Sequence, residues 1–226
     1  MATRFYLPSS GAAGATPSVS GWDATTGYDR IKCVTSKSNS SHANKATAAN
    51  TGQNLNFLAR QYVSDPIGAQ TITGTVKGIV LAFQSASTAG HANQLRIRVC
   101  SNDGSSFTGT LIDFNNGAQS ATHQTTTGAN RKLPRDWSGA GQSVTQVVAN
   151  ANDRIVIEIG ARGFVNGESG ETSTFDFGDL TSDTDCAENE TDTAANAPWI
   201  EFSQNLFGPP PEQLDQIVRE ILLRGA

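Results

Sequence analysis

The amino-acid sequence predicts an all-β chain: a jelly-roll-like antiparallel β-sandwich followed by a short C-terminal amphipathic α-helix. Three observations carry this prediction. Apolar and polar residues alternate with a period of two in one segment after another, as strands with one buried face require. Turn signals punctuate those segments at Asp103-Gly104, Asn116-Gly117, Ala151-Asn152-Asp153 and Asn166-Gly167. Helical spacing competes in one place only, after the break Gly208-Pro209-Pro210-Pro211.

In chain order, residues 3–7 read as a first strand ended by Pro8, and residues 9–20, rich in Gly, Ala, Ser and Pro, read as a flexible loop or arm. Residues 30–35 form the next strand. The polar stretch 36–53 reads as an extended loop, and 55–63 as a strand stopped by Asp65-Pro66. The strongest signals follow. Ile72 and Val76 flank Gly74; Ile79, Leu81 and Phe83 share one face, and Val80 and Ala82 the other. Leu95, Ile97 and Val99 alternate with Arg96 and Arg98, and Ile155, Ile157 and Ile159 with Val156 and Glu158. Phe175 and Phe177 alternate with Thr174 and Asp176, and Ile200 and Phe202 with Trp199 and Glu201. Together these segments make about eight to ten strands, enough for two packed sheets with solvated outer faces.

The domain organisation follows: a sandwich over residues 1–207, a Gly/Pro hinge at 208–211, and a terminal helix within 212–226. Leu214, Ile217, Val218, Ile221 and Leu222 form one apolar stripe. Glu212 and Asp215 in the first turn and Arg224 at the end suit the helix dipole. So short a helix is unstable alone in water and needs a packing surface. That surface is either an open end of its own sandwich or a neighbouring chain. Because the sandwich is complete before the hinge, the stripe is read as a partner-binding element for attachment or oligomerisation.

Composition limits the function. At 226 residues, 37% hydrophobic and 16% charged, the chain is folded and rich in polar loops rather than disordered. Its net charge is −5. Asp176, Asp179, Asp183, Asp185, Glu188, Glu190 and Asp192 exceed that by themselves, so the remainder is near neutral. No broad basic surface exists for nucleic acid, and no apolar run is long enough to span a membrane as a helix. Cys33, Cys100 and Cys186 are too far apart for a disulfide framework or a zinc site. The start of the chain lacks the apolar run of a signal peptide, so synthesis in a reducing cytoplasm is expected.

Catalytic signals are weak. His42, His91 and His123 fall in polar stretches and read as solvated loop residues. Glu158, Glu201 and Asp176 would make a glycosidase pair only if their strands were neighbours. Their alternation with apolar residues instead points each outward onto a solvated face, where Arg96 and Arg98 are cross-strand partners for Glu158 or Glu201. The acidic stretch 179–192 opens with Asp183-Thr184-Asp185 but lacks the glycine and glutamate spacing of a calcium loop, so it reads as a solvated loop. Trp22, Tyr28, Trp137 and Trp199 are candidates for sugar stacking, although Trp22 and Trp137 read more readily as packed loop tryptophans closing the sandwich. No cofactor, metal or catalytic residue is expected.

Several stretches resemble virion structural proteins of tailed bacteriophages, a loose group known from environmental phage sequence. They are Thr3-Arg4-Phe5-Tyr6-Leu7-Pro8-Ser9, Asp29-Arg30-Ile31-Lys32, Ala59-Arg60-Gln61-Tyr62-Val63-Ser64 and Ile72-Thr73-Gly74-Thr75-Val76-Lys77-Gly78. Ile97-Arg98-Val99 with Ser101-Asn102-Asp103-Gly104, then residues 152–160, and then Ala197-Pro198-Trp199-Ile200-Glu201-Phe202-Ser203 continue the pattern. The resemblance covers residues 1–207 and stops before the terminal stripe. It implies a non-enzymatic, jelly-roll-like accessory protein of the virion, made in the host bacterial cytoplasm. Such a protein would be a capsid decoration or minor capsid protein, or tail-associated. It would be oligomeric and would contact major capsid or tail proteins through its N-terminal arm and C-terminal helix. The alternative is a carbohydrate-binding adhesion module that meets surface glycan from the same particle.

Overall fold

The computed structural model describes residues 2–52, 54–86, 90–114, 124–135, 137–163 and 170–208. Fourteen strands lie within them: β1 (Thr3–Tyr6), β2 (Asp29–Lys32), β3 (Ala43–Ala46), β4 (Asn56–Val63), β5 (Gln70–Ile72), β6 (Thr75–Gln84), β7 (His91–Cys100), β8 (Phe107–Ile112), β9 (Ala129–Leu133), β10 (Gln142–Ser143), β11 (Val147–Ala149), β12 (Arg154–Gly163), β13 (Ser173–Phe177) and β14 (Trp199–Phe202). The all-β sandwich is as the alternation predicts. The terminal stripe Leu214, Ile217, Val218, Ile221 and Leu222 lies outside the described residues, as does His123.

Two sheets form the body. One runs β1-β14-β6-β13-β3, with β9 and β10 on the other edge of the long strand β6. The other runs β2-β4-β12-β7-β8. Pairing is antiparallel except for β2 against β4. A small β11-β5 ribbon closes one side. The first four strands alternate between the two sheets, so each sheet depends on pairs that are remote in sequence.

The core lies between the sheets. Leu95, Ile97 and Val99 of β7 and Ile155, Ile157 and Ile159 of β12 face Phe175 and Phe177 of β13, Val80 and Ala82 of β6, and Ile200 and Phe202 of β14. Each fully buried aliphatic or aromatic side chain contributes about 1.5–3 kcal/mol. One charge lies among them. Arg60 is buried, with its guanidinium 4.6 Å from the Phe177 ring and an ion pair to Asp29 at 3.1 Å. Asp29 in β2 also meets Lys45 of β3 at 2.7 Å, which ties the two sheets together along one edge.

The outer faces are not the solvated surfaces expected from the alternation. Residues of the N-terminal arm lie across the outer face of the five-stranded sheet. Glu158 at its centre is fully buried. Arg98 Nη2 donates to Glu158 Oε1 at 2.6 Å, Gln61 Nε2 to the same oxygen at 2.9 Å, and Trp22 Nε1 to Oε2 at 3.2 Å. Arg30 Nε extends the row to Gln61 Oε1 at 2.5 Å. The two arginines then hold the arm by its backbone: Arg30 donates to the Pro17 carbonyl at 2.8 Å and Arg98 to the Ser18 carbonyl at 2.9 Å. Arg96 donates to the Ser20 carbonyl. The expected Arg98–Glu158 pairing is therefore present, but beneath a cover. The stretch read as a flexible arm is a fitted lid, with Ala15, Pro17 and Trp22 buried.

Gly160 allows this fit. It follows a register shift in the β12–β4 pairing. A Cβ there would meet the Phe57 carbonyl at 2.0 Å and the Trp22 ring at 2.6 Å. The seven-stranded sheet is covered in the same way by the acidic stretch. Arg4, Glu201 and Lys77 stand in register across β1, β14 and β6, with Arg4 to Glu201 at 2.7 Å and Lys77 to Glu188 at 2.5 Å. Trp199, Trp137, Ile79 and Cys186 form a second apolar cluster beneath the loop.

Two outcomes test the arm's role. Glu158→Leu or Arg98→Met alone should cost roughly 3–5 kcal/mol in urea unfolding, because each strands a buried charge. The double variant should cost less than the sum of the two. Gly160→Ala should destabilise by about 1–3 kcal/mol and red-shift part of the tryptophan fluorescence as Trp22 is displaced.

Candidate functional site

The carboxylates considered for catalysis do not converge. Glu158 lies on the outer face of the five-stranded sheet, while Glu201 and Asp176 lie on the seven-stranded one. The core separates Glu158 from the other two. Each is instead engaged in structure: Glu158 with Arg98, Glu201 with Arg4, and Asp176 with His42.

The described histidines are not solvated loop residues. His42 precedes β3 and is clamped between Asp176, through Nδ1, and Asp183, through Nε2 at 2.9 Å. Burial works against its charge, but hydrogen bonds and attraction from both aspartates outweigh it and hold the imidazole above its ordinary value of 6.5. His91 begins β7 and is buried. Its Nδ1 lies 2.9 Å from Ser173 Oγ, and desolvation lowers its pKa below the ordinary imidazole value. It heads a group of neutral polar side chains that end the core at this pole, including Asn93 and Gln124, where Gln124 Nε2 donates to Asn93 Oδ1 at 2.7 Å.

The acidic stretch is paired rather than solvated. Asp185 meets Arg4 at 2.6 Å and Lys37 at 2.8 Å. Burial would raise its pKa, but these two bases bring it below the ordinary carboxylate value. Asp179 is fully buried and accepts hydrogen bonds from the Ser38 and Ser40 N–H groups at 2.7 and 2.9 Å. The bases lie on β1, on β6 and between β2 and β3, far away in sequence, so a reading of the local run could not pair them. Among the described residues, no three His, Cys, Asp or Glu side chains gather as a metal site requires.

The tryptophans are buried too. Trp22 and Trp137 pack as loop tryptophans closing the sandwich, with Trp137 Nε1 donating to the Gly78 carbonyl at 3.1 Å. Trp199, a sugar-stacking candidate, is 1% exposed and donates to the Cys186 carbonyl at 2.9 Å. No stacking platform is left on these rings. The three cysteines are free and buried. Burial raises all three thiols, Cys100 to about 11 and Cys186 to about 12, which leaves them unreactive.

Two features stand out on the surface of the described residues. Among the described residues, Val148 is the one large hydrophobic side chain that is exposed, at 62%. The second feature is a groove of about 390 Å³ along the free edge of β1, bordered by Arg4, Tyr6, Thr35, Asn205 and Phe207. The chain leaves the described body beside it, at Gly208.

Neither a family model nor a curated protein matches the chain. Among solved structures it is similar to a CocE/NonD family hydrolase from Staphylococcus aureus, at 10% identity and a TM-score of 0.29. The match covers 92% of this chain and 35% of that one, so this chain spans about a third of the hydrolase. So slight a likeness carries no argument about activity.

The His42 clamp has a definite pH signature. A histidine whose pKa is raised by folding stabilises fully below its unfolded value, and that contribution is lost as pH rises through the folded value. His42→Gln should therefore cost about 1–3 kcal/mol near pH 5.5. The gap to the parent chain should narrow steadily as pH rises above 6.5. Paired thermal melts across that range check this, and a gap independent of pH would contradict it.

Proposed function

We propose that this protein is a non-enzymatic structural component of a tailed-bacteriophage virion, either capsid decoration or minor capsid, or tail-associated, attached through its C-terminal segment. The observation that carries this reading is how little reactive or apolar side-chain chemistry the described body leaves facing solvent. Glu158 on one sheet and Glu201 and Asp176 on the other are each paired with a base, the tryptophans are buried, and the exposed surface of the described residues offers one large apolar side chain. The stripe Leu214, Ile217, Val218, Ile221 and Leu222 has no matching apolar patch among the described residues. An amphipathic segment without such a patch finds its partner on another chain. The phage setting rests on the resemblance across residues 1–207.

In this reading attachment through the termini rests chiefly on the C-terminal segment, since three carbonyls of the N-terminal arm are held by Arg30, Arg96 and Arg98 of its own sheet. The glycan-binding alternative loses the exposed tryptophans that motivated it.

Quantitative mass spectrometry of purified particles tests the setting. Copy numbers near those of the major capsid protein mark decoration, a few to a few dozen copies mark the tail, and complete absence refutes both. Removing residues 213–226 tests the attachment. The truncated chain should melt as the parent does but fail to enter particles or to self-associate. Ile217→Asp should act like the truncation, since burying an unpaired charge is costly. A truncated chain that unfolds or aggregates would instead assign the stripe to its own core.

A further inference from the structure

We propose that His42 is a proton-operated latch on the turn at residues 180–183. It holds the turn against the seven-stranded sheet while the imidazole is protonated and releases it when the proton leaves. Three observations support this.

The first is the geometry of the clamp. His42 presents Nδ1 to Asp176 on β13 and Nε2 to Asp183 in the turn, the latter at 2.9 Å. A protonated imidazole donates to both carboxylates. A neutral imidazole keeps one N–H, so one carboxylate must then face a nitrogen lone pair. The side chains of His42, Asp176 and Asp183 are 18, 12 and 15% exposed, so little water is at hand to screen that repulsion.

The second is the unequal freedom of the two carboxylates. Asp176 is fixed in a strand paired on both sides, with Asn44 of β3 and Leu81 of β6. Asp183 belongs to a short turn closed by its own N–H, which donates to the Leu180 carbonyl at 3.0 Å. Thr181 and Ser182 at the tip of the turn are exposed. The chain on either side is anchored without His42. Asp179 accepts from the Ser38 and Ser40 N–H groups, and Asp185 pairs with Arg4 and Lys37. The piece that His42 controls is thus bounded by two fixed points.

The third is a second partner for the released carboxylate. Lys37 Nζ donates to the Asp183 carbonyl at 2.5 Å, which places its ammonium beside the same residue. The other base near β3, Lys45, is turned to Asp29. Lys37 therefore offers the turn a second arrangement, as a two-state device requires.

The direction follows from charge. Burial opposes the imidazolium, but the two aspartates outweigh it and hold the pKa of His42 above 6.5. The turn is therefore latched in acid and released as pH rises through that folded value. By linkage, a closed turn that favours the protonated ring about tenfold opens about tenfold more readily once the proton is lost. This local release is separate from the clamp's contribution to global stability, and it does not depend on the phage setting.

Hydrogen exchange in the full chain tests the proposal. Protection factors at the Thr181 and Asp183 amides, each taken against the intrinsic rate at that pH, are followed from about pH 5.5 to 9 while NMR follows the His42 ring. The Ser40 amide, held by Asp179, reports on the flanking anchor. Latching predicts that protection at Thr181 and Asp183 falls about tenfold as His42 loses its proton, with Ser40 unchanged. Asp183→Asn should keep its protection across the range, because an amide can accept from the ring N–H or donate to its lone pair. Unchanged protection in the parent while His42 titrates overturns the proposal, as does a ring that stays protonated throughout. A parallel fall at Ser40 overturns it too, because the whole loop would then be opening. So does an Asp183→Asn variant that loses protection with rising pH or lacks it at every pH.

Discussion

The buried carboxylate of Glu158 organises half of this molecule. It sits at the centre of the five-stranded sheet's outer face and accepts from Arg98, Gln61 and Trp22. A lone carboxylate without water is prohibitively costly, so the surrounding donors are a condition of folding. Once they are aligned, the remaining N–H groups of Arg98, with those of Arg30 and Arg96, point outward. They capture the arm by its carbonyls. Trp22 then lies over Gly160, and a segment that would otherwise be a loop becomes a third layer. The lid is held by hydrogen bonds to charged groups, which individually contribute more than neutral ones.

The opposite face follows the same logic with different parts. Arg4, Glu201 and Lys77 make a cross-strand row, and the acidic stretch lies over it and over Trp199 and Trp137. Local excess charge is cancelled by bases brought from other strands, and His42 pins the loop through Asp183. Both sheets are therefore closed on both sides by their own chain. A body built this way has no large apolar surface among its described residues with which to hold a partner.

How much of this is legible in the sequence depends on the range of the interaction. The period-two runs of β7, β12 and β13 declare themselves, since the burial of alternate side chains is a local requirement. β3, β8, β9 and the short strands β10 and β11 do not. Ala43–Ala46 and Ala129–Leu133 carry almost no apolar pattern and become strands because β13 and β6 offer them backbone partners. The same holds for the sites. The packed state of Trp22 and Trp137 is readable from their small and polar flanks. The burial of Glu158 and the clamping of His42 are not, because an alternating charged residue looks the same beneath a lid as in water.

The sequence by itself determined the class of fold, the alternating faces, the absence of a recognised catalytic motif and the odd apolar stripe after the prolines. These follow from residue type and spacing alone, through steric propensity and hydrophobic period. Only the tertiary structure decided which charges are solvent-facing and which are buried, which acids share a face, and which loop is a cover. Those outcomes depend on pairs such as Trp22 with Glu158 and Arg4 with Asp185, more than a hundred residues apart. Electrostatic and hydrogen-bond energies depend on distance in space and on exclusion of water, and neither is defined until the two sheets have closed.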